Sequence, residues 1–166
     1  MGTVETTTPT ANGRKWHGHY PELGTGPLPL EVFTSVEQFA LEREHIFRKV
    51  WLNVCRIEQL SKPGDYFVKD IGVCNTSVIV VRGKDGKIRA FHNICSHRGN
   101  KVVWDQHGND SGFTCKFHGW RYGLDGTLKF VPDEKRFFDM EKDCLGLTPV
   151  QVDVWEGFVF INIDPN

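Results

Sequence analysis

The sequence predicts a mainly β domain, an antiparallel sandwich or barrel-like arrangement of small sheets, preceded by one helix. Short β-branched runs recur from residue 63 onward, and glycine-rich turns separate them. Ahead of them, one stretch carries apolar residues close to helical spacing.

Taken in order, residues 1–30 are rich in Thr, Gly and Pro and end in PELGTGPLPL, the make-up of a tail and an extended segment. Residues 31–62 are expected to form a helix and a connection packed on the domain behind them. Ser35 and Gln38 fit a capping box, and Val36, Phe39, Ala40, Ile46, Phe47, Val50 and Trp51 supply the apolar stripe. Residues 63–166 carry the β texture. DYFVKDI, TSVIVVRG and IRAFHNI read as strands, with GKDGK as the hairpin turn between the last two. GWRYGLDGTLKF repeats that design around a Gly-Leu-Asp-Gly turn. TPVQVDVW and GFVFINI form a closing pair joined at Glu156 and Gly157.

A chain of 166 residues with 39% hydrophobic and 25% charged residues has the composition of one soluble globular domain. Its net charge of −1 gives no bias toward nucleic acid or an anionic membrane, and neither is expected as a partner. No apolar run approaches the roughly 20 residues of a membrane helix. The opening MGTVETTTPTANGRKW lacks the apolar region of a secretory signal. Five Cys, an odd number, then argue for reduced thiols in a cytoplasm rather than a disulfide framework. Cys55, Cys74 and Cys144 each stand alone among apolar or small neighbours and are expected to be buried and unreactive.

The other two Cys are paired with His. Cys95 and His97 lie in one predicted loop, about residues 93–100, and Cys115 and His118 in another, about residues 113–123. Gly99 and Gly119 follow the two His and allow the backbone to bend tightly. Thiolate with imidazole at short spacing in two loops is metal chemistry. A zinc staple is one reading, but zinc fingers pair Cys with Cys and His with His, and here the types are mixed within each pair. A Rieske [2Fe–2S] cluster, with two Cys on one iron and two His on the other, fits the mixture better.

The spacing C-x-H-x17-C-x2-H and the strings CSHRGN and CKFHGWRYGLDGTL resemble the Rieske family, and within it the α subunits of ring-hydroxylating oxygenases. HIFRKVWLNVCRIEQLSKPGDYFVKDI and GLTPVQVDVWEGFVFINIDPN are similar to the segments that flank the cluster loops in those subunits. The resemblance implies a Rieske-type fold with the loops at hairpin ends. It puts Cys95 and Cys115 on one iron and His97 and His118 on the other. It implies electron transfer within an aromatic-ring-hydroxylating dioxygenase that uses NAD(P)H and dioxygen. A ferredoxin or reductase would be the donor, and a neighbouring subunit's catalytic domain the acceptor. Neither loop has the extra Cys of high-potential respiratory members, and Trp120 stands where those have Ser. A potential at the negative end of the Rieske range, about −150 mV, is therefore expected.

The mononuclear iron of such enzymes needs two His and a carboxylate in a further domain. His17, His19, His45, His92 and His107 offer no such set, so this chain is read as the redox part alone, ending before that domain. A free-standing Rieske ferredoxin is the alternative. Near the loops, Trp120 is a candidate shield and Tyr122 a candidate hydrogen-bond donor to a cluster Cys. Arg98, Lys101, Lys116 and Arg121 are candidate docking charges for an acidic electron donor.

Overall fold

The computed structural model describes residues 26–165. The chain divides after Ser35. In the first unit, the described residues hold one short helix, α1 (Glu31–Thr34), closed by the Ser35 N–H donating to Glu31 O at 2.8 Å.

The second unit opens with α2 (Val36–Glu42), which runs on as a π-helical turn (Arg43–Phe47). The periodic stripe predicted one helix as far as Trp51, but the helix ends at Phe47 and strand β1 (Leu52–Arg56) follows. A wider turn rephases the face. Arg43 and Arg48 now reach out to donate to Val73 O and Cys74 O at 2.8 and 3.4 Å, and Phe47 packs against the core. Val36, Phe39, Ile46 and Val50 stay exposed. The β texture therefore begins ahead of residue 63. β1 was hard to read because a bulge between Asn53 and Cys55 breaks its alternation and buries Val54 and Cys55 side by side.

Nine more strands follow: β2 (Asp65–Ile71), β3 (Thr76–Arg82), β4 (Ile88–His92), β5 (His107–Asn109), β6 (Phe113–Thr114), β7 (Arg121–Tyr122), β8 (Leu128–Phe130), β9 (Pro149–Trp155) and β10 (Phe158–Asn162). All the pairings are antiparallel. One sheet runs β1-β10-β9-β4-β3-β2-β5, and a smaller one β6-β7-β8. Residues of β1 and β10 share a core with Phe67 and Ile71 of β2 and Val78 and Val80 of β3, so the long sheet folds over on itself. Ile79 and Val81, alternating with those β3 residues, face a second core under the small sheet. Burial on both faces explains the unbroken Val-Ile-Val-Val run of β3, each residue stabilising by about 1.5–3 kcal/mol. The expected Glu156-Gly157 turn joins β9 to β10, both residues at positive φ, as a tight hairpin requires.

The β3–β4 and β7–β8 turns are copies of one design. In each, a Gly-x-Asp-Gly loop closes through the last glycine's N–H to the first glycine's carbonyl, Gly86 to Gly83 and Gly126 to Gly123, both at 3.0 Å. Gly86 and Gly126 adopt nearly the same φ, 79° and 81°. They differ in surroundings: a Cβ at Gly86 meets nothing, whereas one at Gly126 collides with the buried Phe91 ring. Gly86→Ala should cost about 1 kcal/mol of stability through its backbone alone. Gly126→Ala should cost roughly 2–4 kcal/mol, since overpacking adds to the same strain. Urea unfolding of the two variants side by side measures the difference, and equal losses would refute the packing contribution.

Candidate metal centre

Both loops rest on the same backbone frame. Cys95 N–H donates to Asn100 O at 2.8 Å and Gly99 N–H to Cys95 O at 2.9 Å. In the second loop, Cys115 N–H donates to Trp120 O and Gly119 N–H to Cys115 O, both at 2.9 Å. The two closing glycines sit at φ 70° and 73°, a conformation other residues rarely adopt. Cysteine opens each frame and glycine closes it four residues later. Histidine takes the second place after Cys95 but the third after Cys115, which gives the two unequal spacings on one scaffold.

The loops face each other. The Cys95 and Cys115 thiols influence each other's ionisation and both lie in the core, while the His97 and His118 rings meet at 4.6 Å between centroids. His97 is half-buried and His118 exposed. The thiols are thus the inner pair and the imidazoles the outer pair.

Donors converge on the sulfurs. Cys95 Sγ lies 3.1 Å from the Tyr122 hydroxyl, and the His97 N–H favours its thiolate form. The Tyr122 hydroxyl also accepts the Ser96 N–H at 3.1 Å, and toward a thiolate sulfur it acts as the donor. The Phe117 and His118 N–H groups favour the thiolate form of Cys115, and Asn100 Nδ2 reaches its Sγ across the loops at 3.7 Å. Burial pushes the Cys95 thiol up from its ordinary pKa. At Cys115 burial acts the same way, but the Phe117 N–H, the Cys95 thiol and Asn100 outweigh it and bring the thiol down.

His97 carries the test of fit. Its Nδ1 is buried and has no hydrogen-bond partner among the described residues. Burial, then His118 and Arg98, hold the ring below its usual pKa and favour the neutral form that a ligand needs. An orphaned buried nitrogen two residues along the chain from a buried thiol fits a metal ligand. No group of three His, Cys, Asp or Glu is drawn together for a single ion among the described residues. A two-iron cluster asks instead for two ligands per iron, and two thiols beside two imidazoles fit it.

Tyr122 is fully buried and sits where a sulfur donor would act. The Trp120 ring stacks on His97 at 4.8 Å and 6°, with Phe137 edge-on to both rings. The four cations have different surroundings. Lys101 is held by Asp70 at 3.0 Å, and Arg121 donates to Ser111 Oγ at 3.0 Å. Lys116 is exposed beside Trp104 and Phe117, and Arg98 is exposed beside His97. Cys55 and Cys74 are buried as expected, and burial pushes the Cys55 thiol up to about 11. Cys144 departs from the expectation of burial. It is exposed, because the short helical turn Lys142–Cys144 leaves it on the surface near Glu141. His92 Nδ1 pairs with Thr76 Oγ1 at 3.1 Å, and His17 and His19 lie outside the described residues.

Asn93 went unnoticed in the sequence. It is buried, and its Oδ1 accepts the Val102 and Val103 N–H groups at 3.0 and 2.9 Å while its Nδ2 donates to Val103 O at 2.7 Å. It therefore ties both ends of the first loop together. The signal was one amide at the end of an apolar strand. Asn100, the last residue of CSHRGN, likewise shows nothing of its role in the sequence alone.

The Rieske [2Fe-2S] domain family matches residues 50–153. The oxygenase subunit of carnitine monooxygenase from Escherichia coli K12 is 34% identical over 139 residues, 84% of this chain and 37% of that protein. The large oxygenase component of the naphthalene 1,2-dioxygenase system from Pseudomonas aeruginosa is 42% identical over 127 residues, 75% of this chain and 28% of its own length. Among solved structures, a quaternary ammonium Rieske monooxygenase in complex with L-carnitine superposes with a TM-score of 0.78 at 34% identity, over 83% of this chain and 39% of that one. The chain thus spans less than half the length of these relatives. Identity at this level over most of the chain is descent as well as shape, and the chain belongs to the Rieske [2Fe-2S] family, among the large subunits of Rieske oxygenases.

Proposed function

We propose that this chain is the electron-transferring part of a terminal oxygenase, with Cys95 and Cys115 holding one iron and His97 and His118 the other. A bound cluster supplies a one-electron couple. The chain's own residues do the rest. The backbone donors of both loops, with Asn100 and Tyr122, satisfy the sulfurs, and Trp120 and Phe137 cover His97 from water. The observation that carries the reading is the polarity of the site, with thiols inside and His118 at the surface. Exposed Phe117 and Trp104 stand on the same side, and Phe138 is 93% exposed on the segment beyond Phe137. That rim suits an outgoing electron and an apolar partner surface, which we assign to the catalytic domain of a neighbouring subunit.

The parent enzyme would use dioxygen at a mononuclear Fe(II) in its catalytic domain, with electrons from NAD(P)H reaching the cluster through a ferredoxin or reductase in the cytoplasm. No helix among the described residues is long and apolar enough to cross a membrane. An aromatic-ring dioxygenase is supported by the 42% identity to the naphthalene enzyme. A quaternary ammonium monooxygenase is the second reading, favoured by the carnitine relative's match to 84% of the chain. A free-standing ferredoxin agrees less well, since these relatives are larger oxygenase subunits.

Electron paramagnetic resonance of the dithionite-reduced protein, with iron, sulfide and zinc assays, tests the reading. We expect a rhombic signal with average g below 2 and two irons per chain. One zinc, no sulfide and a silent spectrum would make the site a structural staple. Voltammetry of the same sample should give a midpoint near about −150 mV, and a value above zero would contradict the assignment. Tyr122→Phe should lower that midpoint by roughly 40–90 mV, the equivalent of about 1–2 kcal/mol for one hydrogen bond to a sulfur that gains negative charge on reduction. An unchanged midpoint would mean that the hydroxyl does not serve the sulfur.

A further inference from the structure

A hollow of about 640 Å³ lies between the two copied hairpin turns, and the electron-transfer reading leaves it without a role. Lys84, Arg89, Arg121 and Lys129 line it, against only two carboxylates, Asp85 and Asp125. Both carboxylates are already engaged, and in the same way. Asp85 accepts the Lys87 N–H at 3.2 Å and pairs with Arg89 at 2.7 Å. Asp125 accepts the Thr127 N–H and pairs with Lys129, both at 3.1 Å. The Arg89 side chain, its main cause, holds the Asp85 carboxyl far below its ordinary range. Glycine at 83 and 123 permits this, because a Cβ at either position would strike the neighbouring pair. Lys84 and Arg121 have no carboxylate partner among the described residues, and Arg121 is steadied by Ser111 Oγ. In a chain of net charge −1, this hollow is a local concentration of fixed positive charge.

Its lining also includes Tyr122, the residue whose hydroxyl stands 3.1 Å from Cys95 Sγ. The hollow therefore backs onto the thiol side of the centre, whereas His118, Phe117 and Trp104 mark the imidazole side. We propose that the hollow receives acidic side chains of the protein that delivers electrons, which enter over Tyr122 and Cys95 and leave over the imidazoles. This rests on the electron-transfer reading above and replaces a diffuse ring of loop charges with one surface, of which Arg121 belongs to both. Charge complementarity of this kind acts chiefly on the encounter rate.

The test is stopped-flow reduction of the cluster-loaded chain by a reduced, acidic plant-type [2Fe–2S] ferredoxin, used as the probe, at low and high ionic strength. Lys84→Glu with Arg121→Glu should lower the second-order rate about tenfold at low salt and flatten its salt dependence. Arg98→Glu with Lys116→Glu makes the same change of charge on the imidazole side and should alter the rate less than twofold. Lys84→Glu alone, in an exposed turn, should give a clear part of the effect even if the strand residue Arg121 does not tolerate replacement. Each variant must show the unmodified resonance signal after full reduction. Equal losses in the two double variants, or none at Lys84 and Arg121, would overturn the proposal. So would pyrophosphate binding that those substitutions abolish while the ferredoxin rate stays constant, since the hollow would then hold a small anion. Absence of the cluster signal from the unmodified protein would instead defeat the electron-transfer reading itself.

Discussion

On the ligand assignment proposed above, two sulfurs carry negative charge inside a hydrophobic core, and most of the remaining structure answers that constraint. Cys95 is 3% exposed and Cys115 1% exposed, so water offers them almost nothing. A buried anion without donors costs several kcal/mol, and here backbone N–H groups replace the lost water. Supplying them requires the chain to curl around each sulfur, and the glycines at positive φ allow the curl. The frame then has to be held open at the correct span. In the first loop Asn93 does this with an amide that spans both strands of the return. In the second, β7 follows directly, so Trp120 and Tyr122 are delivered by sheet pairing rather than by a side-chain tie.

The β scaffold makes these positions stiff. β3 is buried on both faces and forms the floor of both cores, and Asn93 N–H and Nδ2 reach its Ser77 O and Oγ at 2.8 and 3.3 Å. The small sheet rests on the opposite side of the same core through Phe113, Tyr122 and Leu128. Any change of angle between the two sheets would therefore change the gap between the loops. Close packing resists such motion, which keeps reorganisation small when charge is added and removed.

The proposed ligand set can be read from the sequence because it is local: each Cys lies within three residues of its His, and the closing glycines follow one or two residues after the His. The hairpins were legible for the same reason, as Gly-x-Asp-Gly fixes a turn without help from elsewhere. What failed to show was set by distant partners. The end of the helix depends on Val73 and Cys74 carbonyls some thirty residues away, beyond any periodicity in residues 36–51. Cys144 has Leu145 and Gly146 after it but Glu141, Lys142 and Asp143 before it, and that charged side is the one that accompanies its exposure, whereas Cys74 is buried. Asn93 and Asn100 look like ordinary strand-end and loop amides until the loop returns and the second loop arrives.

The asymmetry of the site also follows from the constraint. Filling the core side with sulfurs and their donors leaves the imidazoles the outer position, where His97 is covered by Trp120 and Phe137 and only His118 is open. Imidazoles are neutral ligands, and the nearby Arg98 adds positive charge on that side. Negative charge added to the centre is thus less repelled there than beside two thiolates already compressed into the core. The side that best bears the extra electron is the side nearest the surface. On the proposed electron-transfer reading, burying the two sulfurs therefore also sets the added electron toward the surface, where a partner would take it.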